Sequence, residues 1–254
     1  MRSSAATDKR RPHHDHIRSR ARLLARWSAW DAVVPRLKEL GHVAYNPTVA
    51  GHGKGADKAV SHDDCVRSVQ RFIVDNELAD VVLVGHSFGG TVIARVAEEI
   101  PERLRRLVFW NAFVPLPGTR VEEDLPPRYR ELFARLARES GDNTVTLPFP
   151  IWREAFIQDA DLDTATAAYQ HLSPTPYQPF LDRLELPRFA GLEIPKSYLN
   201  GTDDTALPPG DWGWHPRMSG RLGLHRLVRL PGSHEAVFTN PRLLAEKLVH
   251  AGRD

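Results

Sequence analysis

The chain of 254 residues contains one cysteine, Cys65. A single thiol excludes an internal disulfide framework and is too few for a thiolate zinc cluster. No apolar run approaches the roughly 20 residues a membrane-spanning helix requires. The excess of positive over negative charge is confined to the start of the chain. Arg2, Lys9, Arg10, Arg11, Arg18, Arg20, Arg22 and Arg26 stand in the first 26 residues against only Asp8 and Asp15, while the formal net charge is +2, so the remainder is net acidic. A nucleic-acid-binding body would carry a basic stripe, and none is present. Arg10 and Arg11 are not followed by the apolar segment of an export signal, Leu23-Leu24-Ala25 being the nearest approach, which makes a cytoplasmic location the expectation. What the chain does have is material for a core. With 41% apolar residues, 6 Trp and 10 Phe, disorder is excluded as its main state.

Residues 1–26 read as an irregular basic tail. Apolar residues at helical spacing follow over 27–40, stopped by Gly41, and 42–47 reads as a short strand ending at a proline. Ser61 and Asp64 form a helix-starting box ahead of the apolar face Cys65, Val66, Val69, Phe72 and Ile73. The period then changes. Residues 81–84 are continuously apolar, as in a strand buried on both faces of a parallel sheet, and 91–97 is helical again before a strand at 107–110. This alternation predicts an α/β fold with a mostly parallel central sheet flanked by helices. Residues 115–190 break it: proline recurs, and helical pieces at 128–139, 152–158 and 163–172 have no strands between them. They read as a small helical cap inserted after the strand at 107–110. Strands return at 196–200 and 227–230, and a last helix opens near Pro241 and ends at Gly252. The expected organisation is a tail over 1–26, a core over 27–114 and 191–254, and a cap over 115–190.

Gly85-His86-Ser87-Phe88-Gly89 fits the pattern G-x-S-x-G between an apolar strand and a helix. A sharp turn there lifts a serine oxygen out at the strand's carboxyl end. A serine hydroxyl needs a general base, and His234, between the last strand and the last helix, is the candidate. Loops at the carboxyl ends of parallel strands converge on one edge of the sheet. The base in turn needs a carboxylate to fix its tautomer, and Asp203 or Asp204 supplies it after the strand at 196–200. Either aspartate also fits an ordinary turn. The order Ser, Asp, His is that of α/β-hydrolases.

The segments 82–90, 100–115, 198–208 and 232–234 resemble those of α/β-hydrolases of the group that contains plant methylesterases and hydroxynitrile lyases, with bacterial esterase relatives. The likeness spans about residues 27–250 and implies the α/β-hydrolase fold. It further implies cleavage of a small-molecule carboxylic ester or lactone by a triad of Ser87, His234 and Asp204, the last chosen because the group's carboxylate lies four residues before a proline, here Pro208. The backbone N–H of Phe88 would be one oxyanion donor. His86, Trp110, Phe113, Trp152 and Phe156 are candidate pocket residues. No cofactor, metal, nucleic-acid or membrane partner is implied, and oligomeric state, a homodimer included, is not readable. Lyase-type members carry lysine after the catalytic histidine, where this chain has Glu235; a ligand-binding or catalytically impaired relative is the other alternative.

One segment departs from the resemblance. The group begins with a buried strand running into His-Gly, whose loop gives the second oxyanion donor. Near 16–23 this chain has three arginines, which a central strand cannot bury unpaired. Any codons for residues 16–23, with free choice of degenerate bases, can be read one base later as Thr-Phe-Val-Leu-Val-His-Gly. The segment up to about Leu24 therefore reads as out of frame, and the sheet position beside the nucleophile strand is expected to be empty or badly filled. The cluster His13-His14-Asp15-His16 is then accidental rather than a metal site.

Overall fold

A computed structural model describes residues 21–23 and 30–254. The first element is a three-residue strand, β1 (Ala21–Leu23), followed by α1 (Val33–Glu39). Ser61 and Asp64 cap each other reciprocally, at 3.2 Å from the Asp64 N–H to the Ser61 hydroxyl and 2.9 Å from the Ser61 N–H to the Asp64 carboxylate. That satisfies two orphan donors and starts α2 (His62–Asp75), whose Cys65, Val66, Val69 and Ile73 turn inward. Burial pushes the Cys65 thiol up to about 12, which leaves it inert at neutral pH. β2 (Val81–Ser87), α3 (Gly89–Glu99) and β3 (Leu104–Ala112) complete the first α/β alternation.

The insertion between β3 and the next sheet strand carries α4 (Pro127–Ser140), β4 (Thr144–Val145), α5 (Phe149–Phe156), α6 (Leu162–Gln170), β5 (Thr175–Pro176) and α7 (Gln178–Leu181). β4 and β5 form a small antiparallel ribbon that was not expected. Two residues per strand are too few to show a period of two. The core resumes with β6 (Lys196–Gly201), α8 (Arg217–Gly220), β7 (Arg226–Leu230), α9 (Ala236–Thr239) and α10 (Pro241–Ala251), the last capped by the Asn240 side chain on the Leu243 N–H at 3.2 Å.

The five-stranded sheet runs β1-β2-β3-β6-β7, with every neighbouring pair parallel. Alternation along the strands divides the core into two layers. Val81, Leu83, Leu107, Phe109 and Tyr198 pack with α2, α3 and the insertion, whereas Val82, Val84, Val108, Trp110, Leu199 and Val228 pack with α1 and α10. β2 lies inside the sheet, so its carboxyl end opens on the crevice where parallel sheets bind ligands. No helix among the described residues is long and apolar enough to cross a membrane.

Two expectations need correction. Residues 42–47, read as a strand, are irregular; Pro47 has no N–H to give a ladder. The tail was expected to be irregular throughout and to leave the edge of β2 empty or badly filled. Ala21–Leu23 instead pairs in parallel with Val82–Val84, so the edge is not empty, and this strand spans three residues against the seven of β2. Ladder bonds are made by backbone groups, so an open sheet edge accepts an extended segment with little regard to its side chains. The remaining residues of 1–26, the His13–His16 cluster among them, lie outside the described residues.

Candidate active site

The turn from β2 to α3 is crowded. A side chain at Gly85 would place its Cβ 2.5 Å from the Gly89 carbonyl oxygen, and one at Gly90 would place it 2.2 Å from that of Phe113. Only glycine fits at either position. Gly89 itself has open space where a Cβ would go, so crowding does not explain it. Between them Ser87 takes φ of 54°, a left-handed conformation rare for a residue with a side chain. Such strain persists only where the surroundings impose it. Phe88 follows as the N-cap of α3, so its N–H has no intrahelical partner. Behind the elbow, the Thr91 hydroxyl donates to the Phe88 carbonyl at 2.8 Å and lies 2.9 Å from His62 Nε2. Burial holds His62 down at about 4, hence neutral.

His234 and Asp204 meet across two loops, Nδ1 to Oδ2 at 2.6 Å, both side chains almost fully buried. Asp204 is held on all sides. Its Oδ2 also accepts from the Asn111 amide, and its Oδ1 accepts the Ala206 N–H at 2.8 Å. Asn111, at the end of β3, accepts the Gly201 N–H at 2.7 Å with its other amide atom, and so ties β3 to the start of the acid loop. Tyr198 adds a further brace, its hydroxyl bonded to both the carbonyl and the N–H of Ala112. Full burial, with the Asp204 charge adding, keeps that phenol well above its ordinary pKa. Asp203 points elsewhere: its carboxylate accepts the Gly232 N–H at 2.8 Å and joins the acid loop to the histidine loop.

A strap from the insertion also grips both loops. Phe156 accepts the Glu235 N–H at 3.0 Å, Gln158 donates to the Asp203 carbonyl, and Asp159 accepts from the Ser233 N–H at 3.1 Å and the Thr239 hydroxyl at 3.2 Å.

Ser87, His86, Phe88, Phe113, Trp152, Phe156 and His234 line one cavity of about 160 Å³. Among the described residues Ser87 makes no hydrogen bond to His234, a contact that unliganded sites often hold long and shorten with substrate. Trp110 was expected in this lining and is not there. It is fully buried behind His86, stacked on it at 4.0 Å between centroids and packed edge-on to Trp30 at 5.6 Å. Residues alternate faces along β3, and Trp110 takes the face opposite the insertion. Sequence reading missed Trp214, Tyr129, Phe133, Phe180 and Phe238, which also line the cavity; an apolar residue on a helix, or in a loop as Trp214 is, carries no mark separating pocket from core. Asn111 was missed too, although a polar residue ending a fully apolar strand is a signal.

A model of the alpha/beta hydrolase family matches residues 21–247. The chain belongs to the alpha/beta hydrolase family. This hydrolase is 41% identical over 237 residues to a carbendazim hydrolyzing esterase of Nocardioides sp., covering 85% of this chain and 90% of that protein. It is 27% identical over 238 residues to a pyrethroid hydrolase of Sphingobium wenxiniae, covering 89% and 83%. Among solved structures, it matches an extracellular alpha/beta-hydrolase from a Paenibacillus species, described as sharing structural and functional homology with tobacco salicylic acid binding protein 2. The TM-score is 0.90 and the identity 41%, over 92% of this chain and 100% of that one. The plant group named from the sequence motifs is thus among this hydrolase's relatives.

Proposed function

We propose that this hydrolase cleaves the carboxylic ester of a small, uncharged molecule through an acyl-enzyme on Ser87. The observation that carries the reading is the buried 2.6 Å contact between His234 Nδ1 and Asp204, with the same imidazole facing the cavity that Ser87 lines. With Nδ1 committed to the carboxylate, Nε2 takes the Ser87 proton as Oγ attacks the carbonyl carbon and the carbonyl electron pair moves onto oxygen. The Phe88 N–H is a donor to that oxyanion. Collapse expels the alcohol, which takes the proton from Nε2, and water then repeats the cycle to free the acid. Each preorganised oxyanion donor contributes about 3–4 kcal/mol to the barrier reduction.

The lining bears on the substrate. Among the described residues it includes no lysine or arginine, and Glu235 is its single carboxylate. An anionic substrate would find no counter-charge there, whereas neutral esters with aromatic groups match the Phe, Tyr and Trp walls. The relatives named for carbendazim and pyrethroid hydrolysis support a neutral substrate with an aromatic portion. A fluorophosphonate probe should label the wild type at Ser87, and a series of nitrophenyl esters should be turned over. Ser87→Ala should lose labelling and at least about 10³-fold of turnover with its circular dichroism spectrum unchanged. Labelling that survives the substitution would overturn the assignment.

A further inference from the structure

Aromatic rings enclose the His234 imidazole. The Trp214 indole lies nearly parallel to it, 12° between planes and 5.4 Å between centroids. His86 stands at 4.3 Å, and Phe156 meets the ring edge-on at 5.2 Å. Trp214 is 4% exposed and lines the cavity together with Ser87.

The indole is held where it is. The Trp214 backbone carbonyl accepts the Met218 N–H at 2.7 Å, and Phe113 packs against the indole in a T-shape at 5.1 Å. α8, which begins three residues later, is pinned to Asp124. Arg217 reaches Asp124 at 3.0 Å, and Arg221 grips the same carboxylate at 2.7 Å through each of two nitrogens. Asp124 is 8% exposed, and a buried carboxylate flanked by two guanidiniums is expensive to break. The loop bearing Trp214 therefore has little freedom to carry the indole away from His234.

An aromatic face attracts a cation within about 6 Å of its centroid, indole most strongly. A neutral imidazole gains little from such a face, whereas an imidazolium gains more. In the proposed cycle His234 is charged only between taking the Ser87 proton and returning it. An indole in this position thus favours the charged stage over the resting one, which is the requirement for lowering a barrier.

We propose that Trp214 is a positioning residue for His234: its indole face fixes the imidazole plane and stabilises the imidazolium that forms when Ser87 gives up its proton. This rests on His234 serving as the base for Ser87. The ionisable groups around the ring are Asp204 on Nδ1, His86 against its face, and Glu235 next in the chain. Asp203 and Asp159 hold the loop backbone, and Arg217 lies three residues beyond Trp214.

The test is the pH profile of kcat and kcat/KM on a nitrophenyl ester for wild type, Trp214→Phe and Trp214→Leu. In Trp214→Leu the acidic limb of kcat/KM should move down by about 0.5–1.5 pH units, with kcat on the plateau falling roughly 3- to 30-fold. Trp214→Phe keeps a weaker π face and should shift the limb in the same direction by less; it carries the test alone if the leucine variant does not fold. A limb that moves up, as it would if Trp214 only kept water off the ring, overturns the proposal. So does a rise in KM with kcat and the limb unchanged, the mark of a plain pocket wall. Failure of the underlying reading looks different: Ser87→Ala would still be labelled by the probe.

Discussion

Asp203 and Asp204 are chemically identical neighbours, and geometry gives them different work. Asp204 is buried, accepts from Asn111 and Ala206, and meets His234; Asp203 closes a loop-to-loop bridge at Gly232. Asp204→Asn replaces an acceptor with an amide that can present a donor to Nδ1, favouring the wrong tautomer, and should lower kcat by about 10³–10⁴-fold. Asp203→Asn keeps an oxygen able to accept the Gly232 N–H, and should cost roughly tenfold or less. Ester turnover of the two variants, with folding checked by circular dichroism, compares them directly; the reverse ranking would move the triad carboxylate to Asp203. The resemblance already chose Asp204 from its place four residues before Pro208, but the separate work of Asp203 at Gly232 could not be read from the sequence. The division between the two depends on where Asn111 and Gly232 stand, and these are about 90 and 30 residues away in the chain.

At the scale of elements, the least regular feature is β1. β2 is seven residues long, yet among the described residues its β1 side is paired over three. β2 carries Ser87, so its edge bears on the elbow. The resemblance to plant methylesterases places the second oxyanion donor in the His-Gly loop that the corresponding strand runs into, near residues 16–23. Replacing residues 16–23 by Thr-Phe-Val-Leu-Val-His-Gly plus one linker residue should raise the melting temperature. It should also raise kcat by about 10²–10³-fold on the same ester, the value of one added donor. No gain in either quantity would discard the out-of-frame reading and show that the present segment already completes the site. The first three helices of the insertion, α4 to α6, were legible within a few residues from their apolar spacing, whereas the four-residue α7 was not. The strap over 155–159 was not either, since most of what it grips is backbone of two distant loops.

For the whole molecule, the buried His62 links folding to pH. The native state holds it neutral down to about 4, while the unfolded chain protonates it near 6.5. Its folded pKa is the lower one, so the stability gained by keeping it neutral is fully present above 6.5 and is lost as pH falls toward 4. Over that window the loss should amount to roughly 2–3 kcal/mol. Chemical denaturation of wild type and His62→Gln between pH 4 and 7 should show the glutamine variant losing less by about that amount. Parallel curves would mean that His62 is hydrated enough to titrate normally. His62 sits at the first position of α2 and touches Phe88 and Thr91 behind the elbow, so the same acid range should loosen the turn at Ser87.

The sequence by itself determined the α/β alternation, the inserted helical segment, the elbow at Ser87 and the loops that carry Asp204 and His234. These signals are local: periodicity, caps, and glycine where a turn admits no side chain, as at Gly85. Tertiary structure alone decided which aromatics face the cavity. Trp110 and Phe113 lie three residues apart at the end of β3, yet one is buried behind His86 and the other lines the cavity. Tertiary structure also decided that Trp214 stacks on the His234 imidazole and that Ala21–Leu23 pairs with β2. Burial measures a side chain's distance from water and does not encode which partner it will meet. That partner is set by strands and loops folding together from opposite ends of the chain.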